Sequence, residues 1–227
     1  MNPLRERIMH DIADAILDEY DDFDEESTVL LDFACGSGKE APIPVMGGGQ
    51  LASHTKEVIG VDVSENMVMQ YNTKVANQGI PPTEMYAIRS TLDGSELHNL
   101  RAKQIDVIVC VLGYHHFEDI GDVTRRLATL LKQQSGVLIV VDHLRSDEPS
   151  QAASSDDNRI PGHCHGNGIV AHPGGFTESE IRDAFTSAPE LAMDDFSFRP
   201  MITFKKNGNS SSIFLARASR ASGRSIA

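Results

Sequence analysis

The sequence predicts a doubly wound, Rossmann-like α/β domain: a seven-stranded sheet ending in a C-terminal antiparallel hairpin. Three observations predict it. Short apolar runs bounded by turn residues alternate with amphipathic segments. The glycine-bearing run Asp32-Phe33-Ala34-Cys35-Gly36-Ser37-Gly38 follows the first apolar run directly. The chain closes with two apolar runs around Asn207-Gly208. A short, continuously apolar run suits a strand buried on both faces, as in a parallel sheet covered by helices. Asn-Gly between apolar runs signals a hairpin. At 227 residues, 40% of them hydrophobic, the chain can build one core without splitting.

The elements follow in order. Arg5 to Asp21 carries Ile8, Ile12, Ala15 and Ile16 at helical spacing and runs into the acidic stretch Asp21 to Glu26. Strands are expected at Val29 to Phe33, Val58 to Asp62, Met85 to Ile88, Asp106 to Val111 and Val137 to Asp142, with helices near Glu65 to Gln78 and Val123 to Gln133. Thr177 with Glu180 three residues on reads as a capping box opening a last helix. The tail then reads as strand, turn and strand, returning over Ser212 to Ala216. As one domain, the chain divides into an N-terminal helix and acidic linker (1–27), a cofactor-binding core (28–145), a lid or substrate loop (146–175), the last helix and edge hairpin (176–217) and a disordered tail (218–227).

Charge and composition exclude several function classes. A formal charge of −13 disfavours nucleic acid, whose phosphates need clustered Lys and Arg. No apolar run reaches the ~18 residues of a membrane span, and the charged start Met1-Asn2-Pro3-Leu4-Arg5-Glu6-Arg7 is unlike a signal peptide. A cytoplasmic protein without a membrane partner is expected. Cys35, Cys110 and Cys164 are odd in number and far apart, without the pairing of a disulfide framework or zinc site.

Glycine lets the backbone turn sharply at a strand end and approach a ligand, and an acidic residue ending the next strand can accept from ribose hydroxyls. The turn Asp32 to Gly38 and the strand end Val58-Ile59-Gly60-Val61-Asp62 supply both. Gly36-Ser37-Gly38-Lys39-Glu40-Ala41 also fits the dinucleotide pattern, with Asp62 about 20 residues on. A dinucleotide, however, rests its pyrophosphate on a helix N-terminus at the last small residue. Here Pro42-Ile43-Pro44-Val45-Met46-Gly47-Gly48-Gly49 follows and opposes a helix. Asp32 would also repel an anion, whereas it suits a cationic amine.

These residues resemble the class I S-adenosylmethionine-dependent methyltransferases, in particular their small UbiE-like branch. The acidic residue and small-x-Gly-x-Gly turn is matched by Asp32, Ala34, Gly36 and Gly38; the acidic-x-Ser-x-x-Met run by Asp62, Ser64 and Met67; and the acidic site after the third strand by Leu92-Asp93. The fourth strand, with Asp106 at its start and Tyr114-His115-His116-Phe117 beyond its end, matches a further motif. The resemblance covers about Asn2 to Arg217. It implies S-adenosyl-L-methionine as cofactor, held by Asp32, Ala34, Cys35, Gly36, Ser37, Gly38, Asp62, Val63, Met67, Leu92, Asp93 and Val111, and a small-molecule methyl acceptor.

Methyl transfer needs alignment of nucleophile and sulfonium, and a base where the nucleophile must lose a proton. His115, His116 and Tyr114 follow the fourth strand, whose carboxyl end borders the crevice of an open sheet. His115 is the candidate base, His116 reads rather as a structural ring, and Tyr114 is the third candidate. Asp106 reads as a strand-start residue. His163, Cys164, His165 and His172 lie close together, but His-Cys-His is too tight for the usual four-ligand geometry, so no metal is expected and the segment reads as a lid. By resemblance, the turn from His172 to Phe176 leads into the last helix. Two other readings stay open: a non-catalytic member of the fold acting as a binding or regulatory partner, and an NAD-dependent oxidoreductase.

Overall fold

The computed structural model describes residues 3–37, 51–93, 95–145, 170–206 and 209–221. Gly38, the Pro42–Gly49 stretch, His163, Cys164, His165 and the Asn207-Gly208 turn lie outside the described residues. Along the chain come α1 (Pro3–Asp18), β1 (Val29–Phe33), β2 (Glu57–Asp62), α2 (Glu65–Asn77), β3 (Met85–Arg89), α3 (Ser95–Arg101), β4 (Val107–Val111), α4 (Ile120–Ala128), β5 (Val137–Leu144), α5 (Glu178–Thr186), β6 (Ser197–Lys206) and β7 (Asn209–Ser219).

The seven strands form one sheet in the order β3-β2-β1-β4-β5-β7-β6. The first five run parallel, while β7 is antiparallel to both β5 and β6. This is the predicted doubly wound sheet closed by a hairpin. Chain direction across the sheet reverses between β1 and β4, so the crevice of such a fold opens above their carboxyl ends. Alternate side chains of the central strands enter two cores. Leu30, Val107, Val109 and Ile139 pack on the face of α1 and α2, and Leu31, Ile108, Leu138 and Val140 on the other.

Local chemistry fixes the helix starts. Ser64 caps α2 by accepting from Met67 N–H, Asp119 caps α4, and Thr177 with Glu180 forms the predicted capping box. Asp106 binds where a strand-start residue should. Its Oδ2 accepts from Val29 N–H at 2.9 Å and its Oδ1 from Lys132 Nζ at 2.7 Å, joining β1 to β4. Pro200 sits in edge strand β6 beside a register shift, a place where a missing N–H is tolerated.

Some boundaries differ from the sequence reading. β7 extends to Ser219, and Arg220 bridges to Leu191, so the ordered chain runs past the expected start of the tail at 218. Helix α3 was not foreseen, being short and weakly apolar. Among the described residues, no helix is long and apolar enough to cross a membrane.

Candidate functional site

The loop leaving β1 is bent and pinned. Ala34 and Gly36 have left-handed backbones, with φ of 60° and 58°. Cys35 N–H donates to Val61 O at 3.1 Å, joining the loop to β2. Gly36 N–H donates to Asp62 Oδ2 and Ser64 N–H to Asp62 Oδ1, both at 2.9 Å. The Asp62 carboxylate thus clamps two loops and retains lone pairs for hydroxyl donors. A β-carbon on Gly36 would meet nothing within 4 Å, so ligand space is open beside it. Gly36→Val should fold less stably by about 1–2 kcal/mol, the strain of a left-handed non-glycine residue, and lose cofactor binding. A folded variant that binds normally would move the cofactor elsewhere.

Leu92 and Leu112 are also left-handed, with φ of 57° and 55°. With Ala34, they stand just beyond the carboxyl ends of β3, β4 and β1. Sparsely populated backbone conformations of this kind concentrate where ligands bind. Leu92 is buried, whereas Asp93 is exposed and its carboxylate accepts from Thr91 Oγ1, as in an ordinary polar turn. Val63, beside Asp62, is 53% exposed. Ser37, Met67 and Val111 are half-buried, and Cys35 is buried.

Asp32 has the most unusual environment. It is 2% exposed, and its Oδ2 has no hydrogen-bond partner. Burial, with the Asp62 charge adding, pushes its carboxyl up to about 8. A buried carboxyl without a donor is unfavourable unless a ligand supplies one. A cationic amine fits this position, and a pyrophosphate does not. The thiols of Cys35 and Cys110 are likewise pushed up, chiefly by burial, so they pack as small apolar groups.

Across the reversal point, a short 3₁₀ turn over Tyr114–His116 follows β4. It turns His115 inward and leaves His116 exposed. His115 Nδ1 lies 2.8 Å from Asp142 Oδ1 and 3.1 Å from Oδ2, and its backbone N–H donates to Oδ2 at 3.1 Å. Asp142, near the end of β5, is fully buried and also accepts from His143 N–H at 2.7 Å. Burial would raise its carboxyl, but the charge and hydrogen bond of His115, with His143 adding, hold it below the usual carboxylate range. This is an aspartate–histidine dyad. Its carboxylate accepts the proton on Nδ1, which assigns Nε2 the lone pair.

The neighbours of the dyad sort differently from the sequence reading. His116, expected as the buried structural ring, is the exposed one, its ring centroid 4.2 Å from that of His115 and tilted by 39°. Tyr114 is wholly buried, with its hydroxyl 3.3 Å from Thr124 Oγ1 and its ring edge-on to Phe117, so it belongs to the core and not to the crevice. His172 returns to the site by donating its backbone N–H to His115 O at 2.9 Å. Its buried Nε2 has no partner. Among the described residues, His115, Asp142 and His143 bring donor atoms within 4.8 Å of one another, a spacing a metal ion could bridge. The carboxylate oxygens already accept N–H bonds, so the hydrogen-bonded dyad accounts for this arrangement without one. Asp142 was missed by sequence reasoning, although an aspartate ending an apolar strand needs a buried partner.

Comparison with known proteins places the chain among methyltransferases. Residues 31–140 match the family described as methyltransferase domain. An uncharacterized methyltransferase of Schizosaccharomyces pombe is 32% identical over 165 residues, covering 70% of this chain and 52% of that protein. The uncharacterized methyltransferase YcgJ of Bacillus subtilis is 27% identical over 120 residues, 53% of this chain and 42% of that protein. The chain therefore spans about half the length of the curated relatives it matches. The YcgJ crystal structure superposes with a TM-score of 0.60 at 14% identity, covering 94% of this chain and all of that one. The geranyl diphosphate C-methyltransferase of Streptomyces coelicolor, solved with Mg2+, geranyl diphosphate and S-adenosyl-L-homocysteine, gives 0.65 at 13% identity over 95% of this chain and 80% of that one. At such identities, the structural likeness concerns the fold.

Proposed function

Because the chain belongs to the class I S-adenosylmethionine-dependent methyltransferases, we propose that it transfers a methyl group from S-adenosyl-L-methionine to an oxygen, nitrogen or sulfur nucleophile of a small molecule. The observation that carries this reading is a buried Asp32 carboxyl, its Oδ2 without a hydrogen-bond partner, on β1, and a hydrogen-bonded histidine just beyond the end of the adjacent strand β4. Asp32 suits the cofactor's ammonium and Asp62 its ribose hydroxyls. Gly36, with open space beside it, leaves room for the remainder. The cofactor supplies a methyl group activated by a sulfonium.

This chain's own residues supply alignment and proton removal. His115 Nε2 takes the proton of an acceptor hydroxyl or amine, and Asp142 holds the ring by its Nδ1 and stabilises the charge it gains. The partnerless His172 Nε2 offers a polar contact to an acceptor near the dyad. The acidic chain favours a small acceptor over nucleic acid. Incubating the protein with a labelled methyl donor and a metabolite extract tests the reading. Label in a small-molecule product that disappears with Asp62→Ala supports it, and cofactor binding without transfer to any acceptor would favour a binding role instead.

Asp32 adds a pH dependence. An unfolded aspartate titrates near 3.9, so a folded-state value of about 8 means that folding takes up a proton. The cofactor-free protein should lose stability as pH rises from about 4 towards 8. A bound ammonium lowers the Asp32 value, so binding between pH 6 and 8 should release a proton and tighten with pH. Calorimetry of S-adenosylhomocysteine in buffers of different ionisation enthalpy checks this. Absence of proton release across that range, or release that persists in Asp32→Asn, would contradict it.

A further inference from the structure

Two buried side-chain oxygens near the crevice have no hydrogen-bond partner: Asp32 Oδ2 and Tyr71 Oη. They belong together spatially. Asp32 and Gly60 are register partners on adjacent parallel strands, so their β-carbon directions share a face, with strands about 4.8 Å apart. A β-carbon on Gly60 would stand 3.2 Å from Tyr71 Cζ and 2.9 Å from Cys35 Sγ. The phenol head thus fills the place a side chain at 60 would take, beside Asp32. Its titration is pushed up by burial and then by the Asp32 charge, so it stays a neutral donor and acceptor.

Tyr71 lies on α2 with Val75, wholly buried. Packing alone would be served as well by phenylalanine, without the unfavourable burial of an unpaired hydroxyl. We infer that Tyr71 Oη and Asp32 together form the polar pocket for the cofactor's zwitterionic amino-acid end, which makes Tyr71 a specificity-determining residue for ligands that carry that tail. The inference rests on the reading that this crevice binds S-adenosylmethionine. A phenol hydroxyl can accept from an ammonium or donate to a carboxylate, so it serves a tail that carries both.

The test compares two ligands by calorimetry on the full chain: S-adenosylhomocysteine, and 5′-methylthioadenosine, which keeps the nucleoside thioether and lacks the tail. Tyr71→Phe should weaken the first about tenfold, a difference of about 1.4 kcal/mol, and leave the second within about twofold. Without ligand, the variant should melt no lower than the parent, because an unpaired buried hydroxyl has been removed. Equal losses for both ligands, or unchanged S-adenosylhomocysteine affinity in a parent whose binding depends on Asp62, would overturn the role of Tyr71 alone. A parent that binds neither ligand would overturn the cofactor reading and this inference with it.

Discussion

Asp62→Ala is expected to abolish measurable binding of S-adenosylmethionine. A hydrogen bond to a charged acceptor contributes about 1.5 to 3 kcal/mol, and two ribose hydroxyls would lose theirs together, which is about 100-fold or more in affinity. The substitution also frees Gly36 N–H and Ser64 N–H, each 2.9 Å from the carboxylate, so the two loops lose the clamp that shapes the pocket. Asp62→Asn separates these effects. It retains one oxygen for the loops but lacks the charge, and it should fall between parent and alanine. Unchanged affinity in Asp62→Ala would take this residue out of the site and remove most of the case for it.

The second large effect concerns the dyad. His115→Ala should lower turnover about 100-fold or more, the usual contribution of a positioned base, while cofactor affinity stays near that of the parent. Asp142→Asn should do much the same for a different reason. An amide nitrogen facing the ring at 2.8 Å would donate to Nδ1, leaving the proton on Nε2, where the acceptor needs a lone pair. Because both side chains are buried, rates should be compared well below each variant's melting temperature. His116→Ala is the control: an exposed ring should change stability by no more than about 0.5 kcal/mol. Comparable turnover in His115→Ala and the parent would reduce the dyad to a structural strut.

Much of this was legible in the sequence because it depends on local chemistry. The turn at Gly36, the spacing to Asp62, the Thr177–Glu180 capping box and the two strands flanking Asn207-Gly208 each follow from near neighbours. What escaped depends on three-dimensional contact. His115 and Asp142 are 27 positions apart, and only the parallel register of β4 with β5 brings them together. Which of two adjacent histidines turns inward is decided by a single 3₁₀ turn, and no periodicity reveals that. Tyr71 sits at helical spacing among core residues, so its hydroxyl was invisible until Gly60 and Asp32 were seen beneath it. The stretches around Gly38 and His163 lie outside the described residues.

Asp106 gives the sheet two poles with separate duties. Its carboxylate knots β1, β4 and Lys132 together at the amino end, about 15 Å from the crevice along a strand of this length, at ~3.3 Å per residue. Sites that far apart with no shared partners contribute nearly additively. The domain therefore has a foundation that can be reinforced and a rim that can be rewritten: substitutions in the turn just beyond β4 should leave the knot at the other pole, and with it the fold, standing.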